Sequence, residues 1–297
     1  MKGLACFQIL VNALISGSTF ALVGLGFGLV LHTRRFFHMA HGGLVTLAAY
    51  GAWALLALCR LPPAWAMGAG VVAAGLVGAG LDQWIYHPLR VRQAGPTILL
   101  VSSLGVLIVL QNLVALAFGD DVRVLRQGAV GEGLGLWGGA RITRVQLVTL
   151  AVSASSWLLA WLFLKGTRLG RAIRAVGSDP ELAWILGIPV ERLSRVVFFV
   201  GSALGGIAGV LLAYDVGLTP AIGFNALLLG VVIVVVGGPG SLGGIAPAAL
   251  LVGVTRELAG WWLPTQWQDA SLFGVLVAFL LLRSHGQGTR GQARWRE

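Results

Sequence analysis

Lysine is almost missing from this chain of 297 residues, occurring only at Lys2 and Lys165. Neither sits in a GxxxxGK[ST] loop, whose backbone amides and lysine cradle nucleotide phosphates, so the chain is not expected to hydrolyse ATP by itself. Cysteine is equally scarce: Cys6 and Cys59 lie inside apolar segments with no CxxC pair, which leaves no disulfide framework to read and makes both packing residues. Charge is low as well, at 11% of residues against about 25% in soluble domains. What fills the chain instead is apolar, with 57% hydrophobic residues and a mean hydropathy of +0.86. This composition defines an integral membrane protein. The net charge of +10 does not point to nucleic acid, because the arginines cluster in short loops between apolar runs, as the positive-inside bias predicts.

Apolar runs long enough for membrane segments fall at 7–31, 38–59, 64–85, 98–118, 146–165, 196–214, 225–236, 245–259 and 271–282. A hydrocarbon core of about 30 Å takes roughly 20 helical residues, so several of the last segments are too short to span alone. The expected fold is therefore all-α: a polytopic bundle of eight or nine membrane segments, some short or broken. The first run is too long for a signal-peptide core and is read as a retained helix. The glycines and proline of Gly237-Gly238-Pro239-Gly240-Ser241-Leu242-Gly243-Gly244 exclude a helix interior and predict either a tight turn between tilted spans or the tip of a re-entrant pair. Gly24 and Gly28, and Gly201, Gly205 and Gly209, recur at four-residue spacing; in lipid such small-residue stripes let helices approach closely. The arginine distribution places the loop 166–195, Arg34, Arg35, Arg90, Arg92 and the carboxyl tail on the cytoplasmic side, with the 119–145 loop as a dissenting feature. Residues 1–282 form one membrane domain, and the polar tail 283–297 reads as disordered.

Little in the chain suggests self-powered chemistry. An ion-coupled carrier needs an ionisable group at mid-membrane, and most acidic residues fall in loops. Asp82 is the best candidate, but Trp84 and Tyr86 beside it favour an interfacial anchor. His38 and His41 stand three apart at the start of an apolar segment, on one helix face. With no third ligand nearby they suit polar lining or hydrogen bonding better than a metal. No cofactor and no nucleophile elbow are expected.

The longest polar passage, 166–195, reads as two short helices. The first is basic, Arg168 to Gly177. Ser178 or Asp179 then caps a second, with Pro180 in its first turn, Glu181 near its positive end, and a stop at Gly187 before Pro189. The second helix is amphipathic and carries Trp184 and Leu186, which suits docking into a groove on a soluble partner. An interfacial helix lying on lipid headgroups fits the same pattern.

These features together resemble the ABC-importer permeases of the branched-chain amino acid type. Glu181-Leu182-Ala183 followed by Gly187 is similar to the superfamily's EAA-xxx-G coupling loop, and Gly187-Ile188 to the family's Leu-Gly-Ile step. Gly17-Ser18-Thr19-Phe20-Ala21-Leu22 resembles its first-helix signature, Ala40-His41-Gly42 the core of its Asn-Phe-Ala-His-Gly-Glu motif, and Gly237–Gly244 its Gly-Gly-x-Gly-Ser turn. The chain departs from the motif with His38 for Asn, Met39 for Phe and Gly43 for Glu, and loss of that carboxylate bears on which solute passes. The resemblance implies an inner-membrane translocation subunit with a second permease subunit, two cytoplasmic ATPases and a periplasmic solute-binding protein. It implies ATPase coupling through Asp179, Glu181, Ala183, Trp184 and Gly187. A translocation path is expected along Ser18, Thr19, His38, His41 and Gly42, with Gly237, Gly240 and Ser241 shaping a mobile break. The alternatives are the same architecture carrying urea or short amides, and a stand-alone carrier or channel for a small polar solute; homodimeric and heterodimeric pairing both fit.

Overall fold

The structure, a computed structural model, describes residues 2–125, 133–135, 141–238, 241, 243–264 and 267–293, and the side chains among them from 7 to 281. Almost all of it is helical, because a backbone amide or carbonyl has no water to bond in hydrocarbon and a helix pairs each one within its own segment. Helix α1 (Lys2–Arg34) is followed by α2 (Ala40–Ala57) and α3 (Pro63–Leu81). A π-helical turn, Asp82–Tyr86, carries α3 directly into α4 (His87–Val91), and α5 (Pro96–Phe118) comes next. Two short strands, β1 (Leu134–Gly135) and β2 (Arg141–Ile142), pair antiparallel with Leu134 opposite Ile142. They lead to α6 (Arg144–Gly166), α7 (Arg168–Ser178), α8 (Pro180–Ile185) and α9 (Val190–Asp215). The chain closes with α10 (Ile222–Gly237), α11 (Ile245–Trp262) and α12 (Gln268–Ala293).

Six stretches are long and apolar enough to cross a membrane: Phe7–Arg34, Ala40–Ala57, Pro63–Val91, Pro96–Phe118, Arg144–Gly166 and Val190–Asp215, with shorter apolar helices at Ile222–Gly237 and Gln268–Leu281. This is the polytopic helical bundle expected from the sequence. α1 and α9 are its centre, while α5 and α6 expose most of their apolar surface, as lipid-facing helices do.

Missing side chains explain why α1 and α9 can be central. A Cβ at Gly201 would stand 2.8 Å from the Gly26 carbonyl oxygen, and one at Gly205 would stand 2.7 Å from His41 Nε2. A Cβ at Gly209 would collide with the Val45 carbonyl. The triple stripe therefore seats α9 on α1 and α2 at once. Gly24 and Gly28 turn the other way, toward Ile233 of α10 and Ile245 of α11.

Two boundaries differ from the sequence reading, at α9 and α12, while α10 is short, as its apolar run is. α9 begins at Val190, so Glu191, Arg192 and Arg195 belong to its first turns rather than to a loop ending at 195; Glu191 there meets the positive helix end and pairs with arginines. α10 has 16 residues, or about 24 Å, short of a hydrocarbon core. It returns against α11, with the Gly237 and Gly244 backbones in contact. The backbone of α12 stays helical to Ala293, past residue 283 where composition places a disordered tail; each residue added to an existing helix gains one hydrogen bond without a new nucleation cost.

Candidate functional site

The pair α7–α8 stands at one end of the bundle. Thr167 caps α7 by accepting from the Gly170 amide at 2.9 Å, and Asp179 caps α8 through one carboxylate oxygen that accepts from the Glu181 and Leu182 amides, both at 3.0 Å. Gly187, at φ +80°, ends α8. Asp179→Ala is expected to destabilise this turn by about 1 kcal/mol, read as faster amide exchange confined to residues 180–186.

The hairpin is fixed to the membrane helices rather than hung from them. A Cβ at Gly170 would collide with the carbonyls of Phe163 and Leu164, and one at Gly177 with the His32 ring, so α7 lies flush on α6 and α1. Ile173 and Val176 of α7 and Ala183 of α8 join the same core as Leu29 and Val30 of α1. Arg34, the last residue of α1, and Arg35 just after it hold the chain on both sides of α8: Arg35 donates to the Ser178 carbonyl and Arg34 to the Val190 carbonyl, each at 3.0 Å. Anchored in this way, α8 buries Ala183 to 2% exposure and presents Trp184, Ile185 and Leu186 at 71%, 67% and 71%. Beside them a groove of about 460 Å³ runs between Pro180, Trp184, Pro189 and Val190. Apolar side chains held out by a rigid mount have the form of a docking element.

Behind the hairpin lies a charge network that sequence reasoning missed. Arg90 lies 2.8 Å from Asp82 and 2.8 Å from Glu191, and Glu191 lies 3.2 Å from Arg34, whose Nε–H also donates to Ser194. Arg195 adds a bond to Gln83 at 3.2 Å. The first turns of α9, immediately after α8, are thus tied to the end of α1 and to the π turn of α3. Asp82, expected as an interfacial anchor, is 1% exposed and ion-paired. The π turn re-phases the helix after residue 82, so the pairing with a residue eight positions on does not follow from ordinary helical spacing. Trp84 beside it is exposed.

The residues proposed for a path are distributed along the bundle. Thr19 lines a cavity at the end opposite α7–α8. Deeper, His38 and His41 approach to 6.2 Å between ring centroids, but His38 precedes α2, so the two do not share a helix face. His38 is enclosed by Phe198 at 5.0 Å, Tyr86 at 5.3 Å and Phe36 at 6.1 Å, and among the described residues neither of its ring nitrogens has a hydrogen-bond partner. Among the described residues no Cys, Asp or Glu completes a metal site with the pair. Gly42 packs on α10, where its Cβ would stand 2.8 Å from the Gly223 carbonyl oxygen. Gly43 faces Leu110 of α5 at 2.9 Å on the same measure, so the position where the family motif has Glu is a packing contact here. Gly237 and Ser241 flank the α10–α11 turn, with Ser241 Oγ accepting from the Gly244 amide at 3.1 Å; Gly240 lies outside the described residues. Ser18 bonds back to the Ile15 carbonyl at 2.8 Å and lines a separate groove with Trp157 and Leu250.

The cavity that holds Thr19 measures about 390 Å³ and is built from the ends of α9 and α11, the starts of α10 and α12, and α1. Its polar lining includes Ser16, Asn225, Arg256, Glu257 and Asp269. Sequence reading noted the acids only as residues near segment ends, because no local motif joins six helices, α6 contributing Thr149.

A bundle of this design, with a capped helix outside it and a polar cavity within, is a polytopic membrane permease. A family model described as the branched-chain amino acid transport system permease component matches residues 9–282. The high-affinity branched-chain amino acid transport system permease protein LivH of Salmonella typhimurium is 32% identical over 94% of both chains, and BraD of Pseudomonas aeruginosa, of the same description, is 31% identical over 94% of both. The chain belongs to this permease family. Among solved structures, PsaBC from Streptococcus pneumoniae in complex with Fab superimposes with a TM-score of 0.54 at 17% identity, covering 95% of this chain and 92% of that one, and so shares the fold.

Proposed function

We propose that the chain is the translocation subunit of an ATP-driven importer for branched-chain amino acids in a bacterial inner membrane, with α7–α8 and the carboxyl tail facing the cytoplasm. The observation that carries the reading is α8 itself, a capped helix held between α7 and α9 that presents Trp184, Ile185 and Leu186 to whatever lies outside the bilayer. Arginine-rich loops on that side agree with a cytoplasmic placement. The names carried by the relatives support a branched-chain amino acid as solute. Two ATPase subunits supply hydrolysis, a second permease subunit completes the path, and a periplasmic binding protein delivers the solute to the opposite end. Closure of the ATPases moves α8; Arg34, Glu191 and Arg90 pass the movement to α1, α9 and the π turn, so that the bundle changes between outward- and inward-open states. Thr19, His38, His41 and Gly42 then lie along the solute's route, with Gly237 and Ser241 at the break between α10 and α11.

Glu181→Lys tests the docking role. It puts a positive charge at the positive end of α8 and reverses the charge offered to the partner. In the assembled complex, solute-stimulated ATP hydrolysis is expected to vanish; wild-type stimulation would remove the assignment of α8 to the ATPases.

A further inference from the structure

We propose that the cavity at the end opposite α7–α8 is a recognition site for the zwitterionic head of the transported amino acid, an inference that rests on the amino acid reading above. Arg256 is its one cationic side chain among the described residues, and the guanidinium is left with donors to offer. It stacks over Phe20 at 5.3 Å, its ion-pair partner Asp269 stands at 3.7 Å, beyond hydrogen-bond reach, and among the described residues its buried Nε has no hydrogen-bond partner. A planar guanidinium fixed over a ring is suited to receive a carboxylate at two points. α10 brings its first turn to the same cavity through Ile222 and Asn225, adding the positive end of a helix to the attraction for an anion.

The cavity also carries the opposite sign. Glu257, adjacent to Arg256 on α11, lines it together with Asp215 and Asp269, so an ammonium group finds acids within the same space as the arginine. Ile15, Ala226, Leu229 and Leu211 supply apolar wall. The volume of about 390 Å³ lies within the roughly 300–1,000 Å³ of small-molecule sites. One cation, several acids and an aliphatic wall match an α-amino acid with a branched hydrocarbon side chain. A plain hydrocarbon solute would use none of these charges, and a simple anion would meet three acids.

The test uses the assembled transporter in proteoliposomes, with Cys6 and Cys59 replaced by alanine and Thr219→Cys as the single thiol, labelled by a maleimide. Saturating leucine is expected to slow labelling about ten-fold or more, as site occupancy requires. 4-Methylpentanoate, which lacks the ammonium, and 3-methylbutylamine, which lacks the carboxylate, are expected to protect far less. Arg256→Gln is expected to remove the protection by leucine, and Arg256→Lys to restore part of it. Labelling unaffected by leucine, or slowed equally by all three compounds, would overturn the proposal. Ser16→Cys gives the same readout if Thr219→Cys does not assemble. Leucine uptake by the same proteoliposomes separates the two readings: uptake without protection removes this site alone, whereas protection without uptake keeps the site and removes the transport assignment.

Discussion

Arg90→Ala is expected to destabilise the bundle by roughly 3–5 kcal/mol, the cost of leaving one member of a buried ion pair without its partner. Arg90 is the ion-pair partner of Asp82, at 2.8 Å, and Asp82 is 1% exposed. The other arm of Arg90 reaches Glu191, which is half exposed, and a pair of that kind contributes about 1 kcal/mol or less. The Asp82 arm therefore decides the outcome. Replacing both members with apolar residues, Asp82→Leu with Arg90→Met, is expected to recover most of the loss, because buried pairs exchanged for packed hydrocarbon are often neutral or more stable. Thermal unfolding of the purified protein in detergent, followed by tryptophan fluorescence, reads both. An unchanged midpoint in Arg90→Ala would mean that Asp82 and Arg90 do not form a buried pair and the network behind the hairpin is not as described.

The double variant Trp184→Asp, Leu186→Asp is expected to separate the permease from its ATPases. Both side chains are exposed while the backbone that carries them is capped and clamped, so the substitutions leave the anchoring contacts through Ala183 and Ile173 in place. Docked large apolar side chains of this kind are worth about 2 kcal/mol or more each, and two such losses lower affinity by roughly a factor of a thousand at 1.4 kcal/mol per decade. Co-purification of the ATPase subunits with the tagged permease is the readout. Retention of the subunits at wild-type yield would indicate that α8 rests on lipid headgroups instead.

Those two variants probe features that differ in how far the sequence reveals them. The short helices α7 and α8 are legible because local chemistry defines them: Asp179 caps, Pro180 starts and Gly187 stops. The glycine stripes are legible as packing surfaces, yet not their partners, since nothing in Gly201, Gly205 and Gly209 says that Gly26, His41 and Val45 lie opposite. The start of α9 is obscured because Glu191, Arg192 and Arg195 look like solvated loop residues, and only the folded arrangement supplies Arg34, Arg90 and Gln83 to Glu191 and Arg195. Asp82 is obscured by the π turn, which breaks the helical phase that a sequence pattern assumes. The Thr19 cavity is the least legible element, because its lining comes from helices separated by most of the chain. Local signals identify single elements, and long-range packing decides which charges meet.

The most direct measurement on the account as a whole is cross-linking from a single cysteine at Leu186, on a chain with Cys6 and Cys59 replaced, using a short bifunctional maleimide in the assembled transporter. Cross-links to the ATPase subunits, with a yield that changes when nucleotide binds, are the expected result. Reaction of that cysteine with an impermeant reagent added to intact cells, without any cross-link to an ATPase, would contradict the account.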